Sequence, residues 1–330
     1  MSLAIVASLS IAYQQVFIYM GIPILSLGLI GGFFNTLVFL SLRTFRESSC
    51  AFYLTVMSIL NMGQLLTGLL SRILISGFNI DFTRTSLFYC KFRVFFFQFS
   101  VISSLACICL ATIDQYIATC TRPRWRQWSN IRLARRLLIG VIVAIIIEQI
   151  SFLVFYDQKI SYPSNQTVCI TTSTGFDQFT IYTNSLLLGN LIPVIITFIF
   201  GSLAYRNIQQ LRYRTVQLVR RELDKQLSMM VLVQIFYISW TITPQLILYI
   251  VAVYGNIRDS TVRAQINLAY AISLCLYYSF FASPFYTYII VSERFRRQFL
   301  HVIFRIHNNH QWRPNRVHPN MPINVVVSFL

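Results

Sequence analysis

Seven runs of mostly apolar residues, each long enough to cross a bilayer, dominate what this chain can become. They lie at roughly 16–42, 51–76, 90–121, 135–156, 180–206, 226–254 and 265–291. A hydrocarbon core of ~30 Å needs ~20 such residues per helix. Backbone amides in lipid must be satisfied within their own segment, so the runs are read as helices. Only 11% of the 330 residues are charged, against ~25% in an average soluble domain. The connections are short, apart from those near 157–180 and 207–225. Nothing resembles a separate soluble domain, and no internal repeat suggests the paired halves of a transporter. The expected architecture is all-α: one bundle of seven transmembrane helices.

Charge sets the expected orientation. With the N-terminus outside, the inner junctions and tail hold 20 of the 27 Lys and Arg. Arg122, Arg124, Arg126, Arg132, Arg135 and Arg136 crowd one junction, and Arg206, Arg212, Arg214, Arg220, Arg221 and Lys225 the next. Excess positive charge marks the cytoplasmic side. The net charge of +17 is therefore assigned to the anionic inner leaflet rather than to nucleic acid. Residues 1–42 lack Lys and Arg, unlike the basic start of a secretory signal. Residues 1–15 are expected as a short extracellular tail, with the first helix as signal anchor.

Few residues break the apolar rule. Ionisable groups within a bilayer are costly and often functional. Glu148 stands in the fourth run and Arg72 eleven residues after Asn61 in the second. Either lines an outer cavity, or Arg72 snorkels to the headgroups and Glu148 pairs with a neighbouring helix. Asn35 and Asn61 form a polar core that needs interhelical partners. Pro193, Pro244 and Pro284 lie deep in the fifth to seventh runs, where proline permits a kink.

Cys90 opens the third run and Cys169 lies in the long connection after the fourth. A disulfide between them would staple that connection over the bundle in an oxidising compartment. The other five cysteines read as free thiols. Asn165-Gln166-Thr167 in the same connection is a glycosylation acceptor by pattern. Alternation in Thr167-Val168-Cys169-Ile170-Thr171 suggests a strand or hairpin lid.

Seven helices with these two cysteines resemble a rhodopsin-like (class A) G-protein-coupled receptor over residues 16–305. Asp114-Gln115-Tyr116 matches the spacing of the family's Asp-Arg-Tyr motif. Pro193 and Pro244 match the prolines of helices five and six, and Gly31 to Asn35 the helix-one Gly-Asn segment. Ser283-Pro284 stands for the family's Asn-Pro, with Tyr286 and Tyr288 flanking Thr287, where the family has Tyr. The resemblance implies a bundle at 16–291, a short amphipathic eighth helix at 292–305 and a cytoplasmic tail at 306–330. Phe295 and Phe299 would share the lipid-facing side of that helix. It also implies a coupling switch built from Asp114, Gln115, Tyr116, Pro244, Ser283, Pro284, Tyr286 and Tyr288.

This sequence departs from the pattern in several places. Gln115 replaces the family's Arg, and Asn61 its helix-two Asp. Ile242 stands where the helix-six Trp falls, with Trp240 two residues away, and the fourth run holds no Trp. Tyr277 occupies the place of the opsin Lys, so no retinal Schiff base forms there. Phe97 occupies the place of the amine receptors' Asp. The ligand-site candidates are Arg72, Phe97, Gln98, Glu148, Gln245, Tyr249, Tyr270 and Tyr277. Their amides, phenols and aliphatic neighbours suit a peptide or a small amphipathic ligand.

The resulting expectation is a multi-pass plasma-membrane receptor in the lipid bilayer that binds such a ligand and signals to a heterotrimeric G protein. It is not expected to be an enzyme: none of the seven runs contains His and only Glu148 is a mid-helix carboxylate, too little for acid–base or metal chemistry. No cofactor or metal is expected. The competing readings are a signalling-deficient scaffold or decoy, and a transporter. The terminal Ser328-Phe329-Leu330 fits a motif for β-augmentation by a PDZ domain, in a pattern short enough to arise by chance.

Overall fold

The computed structural model describes residues 2–41, 43–120, 122–161, 166–211, 218–255 and 257–307. Asn165 and Ser328-Phe329-Leu330 lie outside them. Helix α1 covers 2–41, α2 Ser49–Gly77, α3 Leu87–Thr119, α4 Ile131–Phe155, α5 174–211 and α6 Leu218–Tyr254. Helix α7 consists of Ser260–Ala282 and Pro284–Val291, bent by 57° at the break. Helix α8, Glu293–His307, follows directly. Strands β1, Tyr156–Ser161, and β2, Gln166–Thr171, form an antiparallel hairpin between α4 and α5. The end of the bundle carrying Cys90 is called the disulfide end below, and the opposite one the arginine end.

Short polar side chains define where the helices begin. Ser48, Ser86, Asn130 and Asp259 accept from the amides of Ala51, Tyr89, Arg132 and Thr261. Each satisfies a donor that the first helical turn leaves unpaired. Asn79, at φ 58°, reverses the chain just after α2, in a conformation Asn tolerates better than most residues. Pro23 and Pro193 each follow a π-helical stretch, Phe17–Gly21 and Thr180–Leu191. A widened turn gives room for a residue that cannot donate.

Burial is inverted relative to a soluble protein. Phe33, Ile147, Phe198, Phe236, Trp240 and Ile290 are exposed on the bundle's surface. Asn35, Asn61, Gln64, Ser100, Ser104, Gln149 and Asn184 are buried within it. Lipid solvates the outer apolar surface, so helix contacts rest on packing and polar pairing. The two expected core asparagines find such partners. Asn35 donates to Ser58 Oγ at 2.6 Å, and Ser104 donates to Asn61 Oδ1 at 2.5 Å. Gly28 lets α1, α2 and α7 approach: a Cβ there would meet Leu65 and lie 2.8 Å from the Cβ of Ala282.

Three expectations are corrected. Residues expected as a tail are helical from Ser2 onward, because Ser2–Val16 contains neither Gly nor Pro to stop the helix. Helix α5 begins at Thr174 rather than near 180, inside the long connection. Phe295 and Phe299 do share a face, but it turns toward the bundle. Phe295 is fully buried, 5.5 Å from Phe39, 6.1 Å from Phe285 and 5.8 Å from Tyr288, and Phe299 packs 5.0 Å from Phe285. Leu300, Ile303 and Phe304 occupy the exposed side of α8. A four-residue spacing identifies a common face without deciding which way it points.

Candidate functional site

The hairpin is held to the disulfide end by three ties. Cys169 is bonded to Cys90 at the start of α3, with Cα atoms 5.8 Å apart. Gln158, the register partner of Cys169, donates to the Thr83 carbonyl at 2.6 Å. Arg84 donates to Gln166 Oε1 at 2.7 Å. Arg84 is itself oriented by Asp81, whose Oδ2 accepts from its Nε at 3.0 Å. Asp81 Oδ1 also accepts from the Thr83 amide at 2.9 Å and hydroxyl at 2.5 Å. Partial burial alone would push the Asp81 carboxyl up, but the bonds from Thr83 and Arg84 outweigh it and hold the group below the usual carboxylate range.

At the same end, α1, α2, α3, α6 and α7 bring together a basic and phenolic cluster. Arg72 is half-buried at the end of a short α-helical turn between two π-helical turns, Leu65–Leu69 and Ile73–Gly77. The phenols of Tyr270, Tyr278, Tyr13 and Tyr249 lie within its electrostatic reach. Tyr249 and Tyr270 have ring centroids 6.2 Å apart, and Gln245 shares a hydrogen bond with Tyr270. Tyr277 is buried beneath them, 5.4 Å from Tyr278 and 5.1 Å from Phe281. Phe97 borders the cluster at Gly68, where a Cβ would stand 2.7 Å from the Phe97 ring and 2.9 Å from the Tyr278 hydroxyl. Gln98 is half-buried on the next position of α3.

Arg72, Gln245, Tyr249 and Tyr270 thus come together, with Phe97 and Tyr277 at their border. Glu148 does not join them. It accepts from Asn184 of α5 at 3.0 Å and from Gln149, while Gln149 donates to Asn184 at 3.0 Å. This triad joins α4 to α5, the neighbouring-helix alternative left open for Glu148. The sequence reading missed Tyr13, Arg93 and Tyr278. Tyr278 was accessible by spacing, two turns after Tyr270 on one face; Tyr13 was hidden by reading residues 1–15 as a tail.

A family description, "7 transmembrane receptor (rhodopsin family)", matches residues 34–282. The chain belongs to that family. The receptor is also similar to galanin receptor type 1 of Rattus norvegicus, at 24% identity over 219 residues, or 65% of this chain and 61% of the relative. Galanin receptor type 1 of Mus musculus is 24% identical over 224 residues, or 67% and 62%. The receptor spans about three fifths of the length of these curated relatives.

At the arginine end, the receptor's altered motif makes a contact between helices. Ser228 of α6 donates to Gln115 Oε1 at 2.6 Å, and both residues are buried. One turn on, Thr119 receives a bond of 3.5 Å from Asn207 of α5. Tyr116 packs 5.5 Å from Phe200 of α5 and 6.4 Å from Trp125. Asp114 is buried and lies within electrostatic reach of Tyr53. Helix α6 is tied a second time: Gln226 Oε1 accepts from Ser292 Oγ at 2.7 Å and from the Arg294 amide at 3.2 Å. Gln298 of α8 donates to Ser41 of α1 at 2.8 Å.

The remaining motif residues sit around the α7 bend. Ser283 bonds back to the Phe280 carbonyl at 2.9 Å, and Pro284 opens the second part of α7. Tyr286 donates to the Leu27 carbonyl of α1 at 3.0 Å. Tyr288 is fully buried, 5.9 Å from Phe39. Both flanking tyrosines therefore pack toward α1. On α6, Ile242 is buried and Trp240 is 78% exposed, so that Trp faces lipid. Pro244 lies within a shallow outward groove with Ser239, Trp240, Thr243, Ile247 and Leu248.

Proposed function

We propose that the chain is a plasma-membrane receptor with its N-terminus outside and its C-terminus cytoplasmic. It binds a peptide or small amphipathic ligand at the disulfide end and passes the change to a heterotrimeric G protein at the arginine end. The observation that carries this reading is the pairing of a covalently held hairpin with the cluster of Arg72, Gln245, Tyr249 and Tyr270 at the same end. Polar hydrogen-bonding groups set among aromatic rings suit a ligand with both characters. The similarity to galanin receptors favours a peptide. A ligand that binds one arrangement of the bundle better than another shifts the population toward it, and the α3–α6 bond is the element it would bias.

Gln115 supports a second reading, a scaffold or decoy. Gln keeps hydrogen bonding but lacks the charge that the family's Arg offers a G protein. One experiment separates the two. The full chain, reconstituted with each Gα class, is screened with a peptide library for nucleotide exchange. Ligand-dependent exchange with at least one class is expected. Ligand binding without exchange in any class sinks the signalling reading and leaves the scaffold.

A further inference from the structure

Two arginines face each other at the disulfide end. Helices α2 and α3 touch at two points there. Ser71 Oγ and the Tyr89 hydroxyl are 3.2 Å apart, and Gly68 lies against the Phe97 ring. Arg93 is one turn after Tyr89 and one turn before Phe97. Arg72 is next to Ser71 and one turn after Gly68. Both positions are therefore bracketed on the facing surfaces of α2 and α3, and Arg72 lies within electrostatic reach of Arg93. Both are half-buried.

Among the described residues, neither Arg72 nor Arg93 makes an ion pair. Asp81 is within electrostatic reach of Arg93, but is bonded to Thr83 and Arg84. Glu148 is bonded to Asn184 and Gln149. The groups around the two cations are phenols: Tyr13, Tyr249, Tyr270 and Tyr278 about Arg72, with Tyr278 and Tyr89 about Arg93. Like charges held together out of bulk water are unfavourable unless paired. Guanidinium forks bind a carboxylate bidentately, and phenols can donate to its remaining lone pairs.

We propose that Arg72 and Arg93 form an anchoring site for a carboxylate of the ligand, supplied by a peptide's C-terminus or by an acidic side chain. The proposal rests on the ligand site assigned above and defines its chemistry. It explains why two cations are placed beside the aromatic cluster, close to the start of α3 where the hairpin's disulfide is anchored. The aromatic rings would hold the apolar body beside the anchored group.

The test reads binding without signalling. The full chain in neutral-lipid nanodiscs is unfolded thermally with three probes: N-acetyl-phenylalanine, N-acetyl-aspartyl amide, and N-acetyl-phenylalanine amide as the uncharged control. A carboxylate probe is expected to raise the midpoint by roughly 2 °C or more at saturation, and the control is expected not to. A response to the first probe alone indicates a chain terminus, and to the second alone an acidic side chain. Arg72→Gln and Arg93→Gln should each abolish the response, and Arg93→Gln should leave the ligand-free midpoint equal or higher, since it removes a like-charge contact. No response to either carboxylate, an equal response to the control, or a response that survives both substitutions overturns the proposal. If Arg72→Gln fails to fold, Arg93→Gln alone decides. No G protein is present, so absent nucleotide exchange would sink the signalling reading and leave this outcome standing.

Discussion

Ser228 donates a 2.6 Å hydrogen bond to Gln115 Oε1, joining α6 to α3 inside the arginine end. Both partners are buried, so water does not readily replace the bond. Such a bond contributes ~1 kcal/mol, about fivefold in the population of a two-state bundle. Ser228→Ala should therefore raise basal nucleotide exchange several-fold. Gln115→Arg, which places a donor against Ser228, should also change the basal rate. Equal basal exchange in wild type and both variants would show that this contact does not gate coupling.

The disulfide should be complete and structurally important. Alkylation followed by mass mapping should find Cys90 and Cys169 blocked and Cys50, Cys107, Cys109, Cys120 and Cys275 as thiols. Removing a native disulfide commonly costs about 2–5 kcal/mol. Cys169→Ser should lower the thermal midpoint and weaken ligand binding together. Free thiols at both positions in wild type would remove the stapled lid from the account.

Glu148 should depend on Asn184. The Asn184 amide donates to the carboxylate at 3.0 Å, and a carboxylate facing the membrane interior is unfavourable without partners. Asn184→Ala should destabilise by about 1–3 kcal/mol. In a Glu148→Gln background the same change should cost much less, and the two effects should be non-additive in a double-mutant cycle. Strict additivity would show that the two side chains do not interact.

Asp81 should make the lid sensitive to acid. Its folded-state carboxyl is held below the ordinary value of about 3.9. A depressed folded value contributes stability that is fully present above the unfolded value. That stability is lost as pH falls through the folded value. The midpoint advantage of wild type over Asp81→Asn should persist from neutral pH down to about pH 5 and shrink below about pH 4. An advantage unchanged across that range would mean the Thr83 and Arg84 bonds do not act on the charge.

The residues differ in how legible they were. Cys90 and Cys169 could be paired from topology, and the hairpin from alternation around Cys169. Arg72 could be nominated because it interrupts an apolar run, and Tyr270 as one of the phenols in the outer half of the bundle. Arg93 was counted only as an outer charge, since nothing local to 87–119 says which neighbour it faces. The partners Ser228, Gln226 and Ser292 carry no motif at all: a serine or glutamine among many becomes a helix tie only when another helix is laid beside it. Phe295 and Phe299 show the same limit, with their common face readable and its direction not.

By itself, the sequence determined the number of spans, their approximate positions, the distribution of charge along the chain and the family resemblance. These follow from the hydrocarbon thickness, the backbone's need for internal hydrogen bonds and the ordering of motifs along the chain, all of them local or one-dimensional. Only the tertiary structure decided which side chains meet: Tyr249 with Tyr270, Gln115 with Ser228, Glu148 with Asn184. Lipid solvates apolar side chains nearly as well as a protein interior does, so hydrophobicity does not choose a helix's inward face. Close packing and polar pairing make that choice, and those contacts exist only after the helices have assembled.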